Sequence, residues 1–314
     1  MPELPDVTVY VERIRALLLG STLTAVRLAS PFVLRTVDPP LRAVHGLPVT
    51  AVHRFGKRIV LELRDAEPEP LFLVIHLMIA GRLRWKPGAK RTARNAVALL
   101  DFALPDGTST TLLFTEASKK KRASLHVVRG AGALEPFDRG GIDLFAASTE
   151  AVAETLRANR HTLKRSLTDP RYFDGVGGAY GDEILHAAKL SPVVMTDRLS
   201  DEEIARLHVA ARDVLERFTA ALREEVGDGF PDKVTAFRKD MAVHGRYGKP
   251  CPVCGSPVQR IVYAENETNY CATCQTGGKL LADRALSTLL KKDWPRTLEE
   301  LEETRSQGPR SGRS

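Results

Sequence analysis

Apolar positions recur at helical spacing over residues 7–19, where Val7, Val11, Ile14, Leu17 and Leu18 share one face and Gly20 supplies a stop. The next hundred residues change period. Short alternating or β-branched runs near 22–29, 48–54, 58–64, 71–77, 96–103 and 108–115 are separated by Pro, Gly and Asp, and Pro105-Asp106-Gly107 is a turn signal. This pattern predicts a mostly-β domain, a sandwich, behind one helix. The stretches around Pro68, Pro70 and Pro87-Gly88 are expected as loops. Around 134–150 the pattern becomes a linker and then turns helical, near 148–158, 160–167, 180–188 and 201–224. In the last of these, Leu199-Ser200 precede an acidic first turn, and Ile204, Leu207, Ala211, Val214, Leu215 and Phe218 form an apolar face. Gly227 to Pro231 breaks it. A short helix is expected near 280–291, and the polar residues 308–314 are expected to be disordered.

At 314 residues the chain can build two or three domains with cores of their own. Its 43% hydrophobic and 27% charged content is that of a soluble globular protein. The longest apolar runs, such as Leu71–Ile75, suit a strand and are too short for a bilayer, so no membrane association is expected. No leader-like start is seen, which predicts an intracellular protein. The net charge of +7 and pI near 9.3 fit a polyanionic partner, though many soluble proteins carry such a charge without one.

All four cysteines fall in two CxxC pairs, Cys251/Cys254 and Cys271/Cys274. In a chain without secretion features this is a metal pattern: two knuckles supply four thiolates to one structural Zn²⁺. Between them, Gln259–Tyr263 and Asn269-Tyr270 read as two short strands joined by the loop 264–268, a zinc-stapled β-hairpin. At the other end, Met1-Pro2-Glu3 offers a different chemistry. Once Met1 is removed, Pro2 exposes a secondary amine that can attack an electrophilic carbon and form an iminium, given a nearby acid.

Five segments, in order, resemble the formamidopyrimidine-DNA glycosylase and endonuclease VIII family. Met1–Asp6 is similar to its MPELPE start, Gly56-Lys57 to its glycine-lysine, and His76–Leu83 to its HLGMSGRL. Gly175–Glu183 is similar to its GVGNIYADE helix-two-turn-helix motif, and the four cysteines to its zinc finger. The resemblance covers residues 1 to about 275 and identifies the chain as an atypical member. It implies a multidomain α+β fold: a catalytic β-sandwich with its N-terminal helix at 1–133, a linker at 134–150 and a helix-two-turn-helix DNA-binding domain at 151–234. The zinc finger follows at 235–275 and a C-terminal extension at 276–314.

What it implies for function is a DNA glycosylase with AP-lyase activity that excises damaged, oxidised bases. Its partner would be damaged DNA, its state a monomer, and its place the bacterial cytoplasm or nucleoid. Pro2 matches the nucleophile that attacks C1′ and holds the sugar as a Schiff base, Glu3 the general acid/base, and Lys57 a lysine that contacts phosphate and assists proton transfer. Without the match these would read as a disordered terminus, a solvated acid and a solvated strand-end lysine. Met78 resembles the intercalating methionine, one position early relative to HLGM, with core packing as its alternative. Arg82 and His76 are phosphate-contact candidates, His76 equally a structural strand end. Gly177 and Gly178 belong to a turn that can offer backbone N–H groups to phosphate, or serve only as a tight turn.

The chain departs from the pattern in several places. Asp6 replaces the usual second glutamate by a shorter acid, and Gly178 stands where the motif has asparagine. The hairpin loop carries Glu265, Asn266 and Glu267 where the family has an arginine, which predicts weak δ-elimination and leaves Arg260 as a substitute contact. The family's DPRRFG loop is replaced by a basic run that includes Lys119 and Lys120, either a backbone contact or a solvated loop. These departures motivate an alternative, a damage- or abasic-site-binding protein of the same fold with weak or no catalysis. A purely structural or protein-interaction zinc module would leave Pro2, Glu3 and Lys57 unexplained.

Overall fold

A computed structural model describes the whole chain except residues 236, 264–265, 282–294 and 307–314. It forms two compact units, Met1–Gly141 with Leu215–Ala236, and Ile142–Val214 with Phe237–Ser314. The C-terminal part of the long helix and the segment after it therefore group with the N-terminal sandwich.

In the first unit, helix α1 (Leu4–Leu18) is followed by eight strands: β1 (Thr22–Leu28), β2 (Leu47–Phe55), β3 (Arg58–Leu63), β4 (Leu71–His76), β5 (Gly81–Trp85), β6 (Ala96–Ala103), β7 (Ser109–Glu116) and β8 (Ser124–Arg129). The strands pair antiparallel in the order β5-β7-β6-β1-β2-β3-β4-β8. β1 and β2 share only Thr22↔Pro48 and Leu23↔Leu47, and at that seam the ribbon folds into the two halves of a sandwich. Val7, Tyr10, Ile14 and Leu18 of α1 enter the core between them, as the helical period requires. The run Leu71–Ile75 is apolar throughout because it serves two cores. Leu71, Leu73 and Ile75 face the main one, while Phe72 and Val74 join Val60 beneath Leu134 and Phe137 of a 3₁₀ segment. β5 and β8 were not expected from the sequence pattern, and they add the two ends of the ribbon.

The second unit holds α2 (Thr149–Arg157), α3 (Leu163–Thr168) and α4 (Gly178–Ala187), and α5 (Asp201–Val226) begins in it. The apolar face predicted for α5 is buried, from Ile204 through Phe218. The hairpin β9 (Gln259–Tyr263) and β10 (Asn266–Tyr270) is followed by the short α6 (Ala272–Thr276). β10 begins at Asn266 and pairs from there, so the expected loop over 264–268 is shorter, with 264 and 265 outside the described residues. Most of the expected helix near 280–291 and all of the expected disorder at 308–314 also fall outside them. Instead, α7 (Leu298–Ser306) is present, and its Leu298 and Leu301 pack on Tyr270, Ala272 and Leu280 of the finger. Among the described residues no helix is long and apolar enough to cross a membrane.

Candidate active site and metal centre

The start of α1 fixes the N-terminus. Glu3 is the N-cap residue, with extended backbone, and Pro5 in the first turn is pre-shaped for a helix. Asp6 accepts from the Glu3 backbone N–H at 2.8 Å, one half of a capping box. Pro2, Glu3 and Asp6 are all buried, Glu3 and Asp6 at 2% exposure. The shorter acid therefore retains a structural contact. Burial pushes the Asp6 carboxyl up to about 7, against the pull of the Glu3 N–H and with a further push from the Glu3 charge. Its Oδ1 is buried without a hydrogen-bond partner.

The chain's amine, on Met1 as translated, lies in the same environment. Burial lowers its pKa, Glu3 and Asp6 raise it, and Arg82 and Lys57 lower it further. The charges of Glu3 and Asp6 at the start of α1, Arg82 of β5 and Lys57 of the β2–β3 hairpin thus act on one amine. Gly56-Lys57 is the two-residue turn of that hairpin, between the paired Phe55 and Arg58, and Gly56 takes φ 61° there. Arg82 donates from Nε to the Val234 carbonyl at 2.6 Å and from Nη1 to the Gly81 carbonyl at 2.6 Å. The motifs point to Arg82 only as a phosphate contact and to Asp6 only as a shorter substitute for a supporting acid.

His76 ends β4 opposite Arg58 and Ser124. Burial, then the positive charges of Arg58 and Lys57, and then His126, push its pKa down to about 4. It is a neutral imidazole near pH 7. The following turn is tight, for a Cβ on Gly81 would come within 2.2 Å of the Leu77 carbonyl oxygen. Met78 is half-buried with φ 51°, at the position where HLGMSGRL carries glycine, and the side chain standing out from the turn is Ile79, 57% exposed. An apolar run such as Leu77-Met78-Ile79 does not itself reveal which member faces water.

Lys119 and Lys120 lie exposed on the loop between β7 and β8. In the second unit, Gly175 adopts φ 76° and Gly177 caps α4, whose first residue is Gly178. A side chain at Gly178 would meet nothing within 4 Å. The acidic residues of α4 point to other tasks. Asp182 accepts from Lys164 Nζ at 2.7 Å and lies 2.8 Å from His244 Nδ1, and Glu183 accepts the backbone N–H groups of Ala242, Val243 and His244 at 2.7–2.9 Å.

The four cysteine sulfurs lie within 4.8 Å of one another, with Cys254–Cys271 at 3.4 Å and Cys251–Cys274 at 3.9 Å. A tetrahedron of zinc–sulfur bonds near 2.3 Å sets its sulfurs about 3.8 Å apart, so these four fit one zinc ion. Backbone N–H groups of Val253 and Cys274 point at Cys251 and Cys271 sulfurs, each at 3.5 Å. His186 of α4 places Nε2 3.3 Å from Cys251 Sγ, a partner the cysteine spacing could not disclose. Arg260 of β9 stacks over Tyr247 at 4.3 Å and pairs with Glu267 at 3.3 Å.

Three family models match the chain in order: the formamidopyrimidine-DNA glycosylase N-terminal domain at 1–121, the formamidopyrimidine-DNA glycosylase H2TH domain at 143–226, and the zinc finger found in FPG and IleRS at 248–277. The formamidopyrimidine-DNA glycosylase of Desulforamulus reducens is 32% identical over 286 residues, spanning 88% of this chain and 99% of that one. A formamidopyrimidine-DNA glycosylase-like protein of Mycobacterium tuberculosis is 43% identical over 151 residues, 48% of this chain and 94% of its own. Among solved structures, the MutM (Fpg) protein of Thermus thermophilus aligns with a TM-score of 0.71 at 32% identity, covering 87% of this chain and 98% of that one. The Lactococcus lactis Fpg in complex with abasic-site DNA shares the fold, with a TM-score of 0.75 at 20% identity over 87% and 99% of the chains.

Proposed function

The chain belongs to the formamidopyrimidine-DNA glycosylase family, and from that premise we propose that it is a DNA glycosylase with AP-lyase activity, acting through Pro2 once Met1 is removed. The observation that carries this reading is the partly buried amine at the start of α1, on which the charges of Glu3, Asp6, Arg82 and Lys57 act. Burial, with Arg82 and Lys57, outweighs the opposing pull of Glu3 and Asp6 and favours the neutral amine, the nucleophilic form. The Pro2 nitrogen attacks C1′, and the C1′–base bond breaks with its electrons leaving on the base, which takes up the proton that the amine gives up. The sugar O4′–C1′ bond then opens as the iminium forms, with Glu3 giving a proton to O4′. Removal of a C2′ proton and departure of the 3′ phosphate break the strand.

The remaining candidates support binding of damaged DNA, and we take the protein to act as a monomer inside the cell. His76 and Lys57 share one end of the sandwich as phosphate contacts, Ile79 beside Met78 is the apolar side chain available to fill the gap left by a flipped nucleotide, and the Gly177-Gly178 turn with the α4 N-terminus receives a phosphate. The zinc ion holds the finger. Arg260 is engaged by Glu267, which argues for weak δ-elimination and favours a second reading, a damage- or abasic-site-binding protein with weak or no catalysis.

Borohydride with abasic-site DNA is expected to trap a covalent complex, which Pro2→Gly weakens and retention of Met1 abolishes. A processed wild-type protein that binds the DNA but does not trap would favour the second reading. A panel of defined lesions in single- and double-stranded DNA, with product ends resolved, identifies the substrate and the elimination step.

A further inference from the structure

Glu116 closes β7 and is 1% exposed, yet it lies beneath the most basic stretch of the chain. Its Oε1 accepts the Arg122 backbone N–H at 2.9 Å and its Oε2 the Ala123 N–H at 3.2 Å. The Ser118 hydroxyl lies 3.0 Å from Oε1 and 2.7 Å from the Lys120 carbonyl, and the Lys121 ammonium donates to the Glu116 carbonyl. Burying a carboxylate is costly unless donors satisfy it, and here the loop's own backbone supplies them. The loop 117–123 is therefore wound around one acid, with Lys121 tied back to the Glu116 carbonyl and Lys119, Lys120 and Arg122 exposed. A solvated run of like charges would spread apart to relieve repulsion. This one is gathered and fixed.

Its position supplies the partner. Glu116 pairs with Gly81 across the sheet, and Ala117 N–H approaches the Ala80 carbonyl at 3.5 Å, so the loop leaves beside the turn that carries Met78 and Ile79. It re-enters the sheet at Ser124, in register with His76 and, through it, Arg58, the residue after Lys57. Lys119, Lys120 and Arg122 thus stand at the end of the sandwich that bears the amine cluster.

We infer that the loop 117–123 is a built phosphate-binding surface for the backbone of duplex DNA, with Glu116 as the residue that positions it. The inference rests on the DNA-glycosylase reading above. Phosphate contacts of this kind fix the duplex without reading its sequence.

The test uses the full-length, zinc-loaded protein and fluorescence anisotropy with a duplex containing a stable abasic analogue, over about 50–200 mM salt. Glu116→Gln makes the protein one unit more positive, so attraction by charge alone would tighten binding. The Gln amide instead turns an N–H toward the Ala123 N–H and releases the loop. The expected result is binding at least about fivefold weaker, together with faster tryptic cleavage within 119–122 and an unchanged melting transition for the rest of the protein. The combined change Lys119→Ala, Lys120→Ala and Arg122→Ala alters only exposed side chains, and should lower the slope of log K against log salt by about 2–3. Equal or tighter binding by Glu116→Gln, or an unchanged slope in the triple variant, overturns the inference. A wild-type protein without affinity for the abasic duplex would instead overturn the glycosylase reading beneath it.

Discussion

Asp6 accepts the backbone N–H of Glu3 at 2.8 Å while its second oxygen is buried without a partner. The carboxyl is thus held where the helix start needs an acceptor and where water cannot solvate a charge. Its pKa, raised to about 7, follows from that position.

A folded-state pKa above the unfolded value means that the folded protein holds the proton more tightly. The stability Asp6 contributes is fully present below its ordinary value of 3.8 and is lost as pH rises through about 7. Asp6→Asn keeps an acceptor for the Glu3 N–H and removes the titration. Denaturant melts between pH 4 and 8 should show wild type losing stability relative to Asp6→Asn as pH rises, by up to about 4 kcal/mol. A difference that is flat in pH would mean that Asp6 ionises normally.

The turn after β4 divides two roles between neighbours. Met78 takes a left-handed backbone that costs an L-residue about 1–2 kcal/mol, and Ile79 takes the exposure. Met78→Gly relieves that backbone, so its melting temperature should match or exceed wild type, unlike the loss expected for a truncated core methionine. Ile79→Ala should slow excision from duplex DNA by about tenfold or more, since unstacking a base costs a few kcal/mol, and affect single-stranded substrate far less. Equal losses on both substrates would assign Ile79 to packing.

Gly178 opens α4 with free space where its Cβ would stand. Nothing steric forces glycine here, so Gly178→Asn should fold normally and add a side-chain donor beside the helix N-terminus. One such hydrogen bond is worth about 0.5–1.5 kcal/mol, so affinity for an abasic-analogue duplex should rise roughly two- to tenfold. Titration of the two proteins side by side tests this, and unchanged affinity would place the phosphate elsewhere.

How far the sequence could be read follows from which contacts are local. The period of α1, the alternation of most strands and the paired cysteines are set by neighbours in the chain, and these elements were legible. β5 and β8 were not. Gly81–Trp85 and Ser124–Arg129 are short, and they become strands by pairing with β7 and β4 from elsewhere in the chain. The site divides in the same way. Pro2, Glu3 and Lys57 could be named from motifs, but the approach of His186 to Cys251 joins distant parts of the chain, and the exposure of Ile79 and the winding of a loop around Glu116 are set by turns that no periodicity marks.

That last contact sets a prediction for the metal. A zinc-bound thiolate has no proton to give, so the 3.3 Å contact between His186 Nε2 and Cys251 Sγ requires the histidine to donate. Such an outer partner orients its ligand, and losing it typically costs ten- to a hundredfold in metal affinity, roughly. The apolar cluster around the metal is small, Val243, Val258 and the two ligands Cys251 and Cys271, and the second cluster, on Tyr270, Ala272 and Leu280, lies on the hairpin's far end and the residues after it. Removing zinc should therefore unfold the hairpin as a unit, visible as loss of amide protection over β9 and β10. His186→Phe fills the space without donating and should release zinc to a coloured chelator at least about tenfold faster, whereas His186→Gln, which retains an N–H donor, should recover part of the difference. Release at the wild-type rate from His186→Phe would reduce the contact to packing between α4 and the finger.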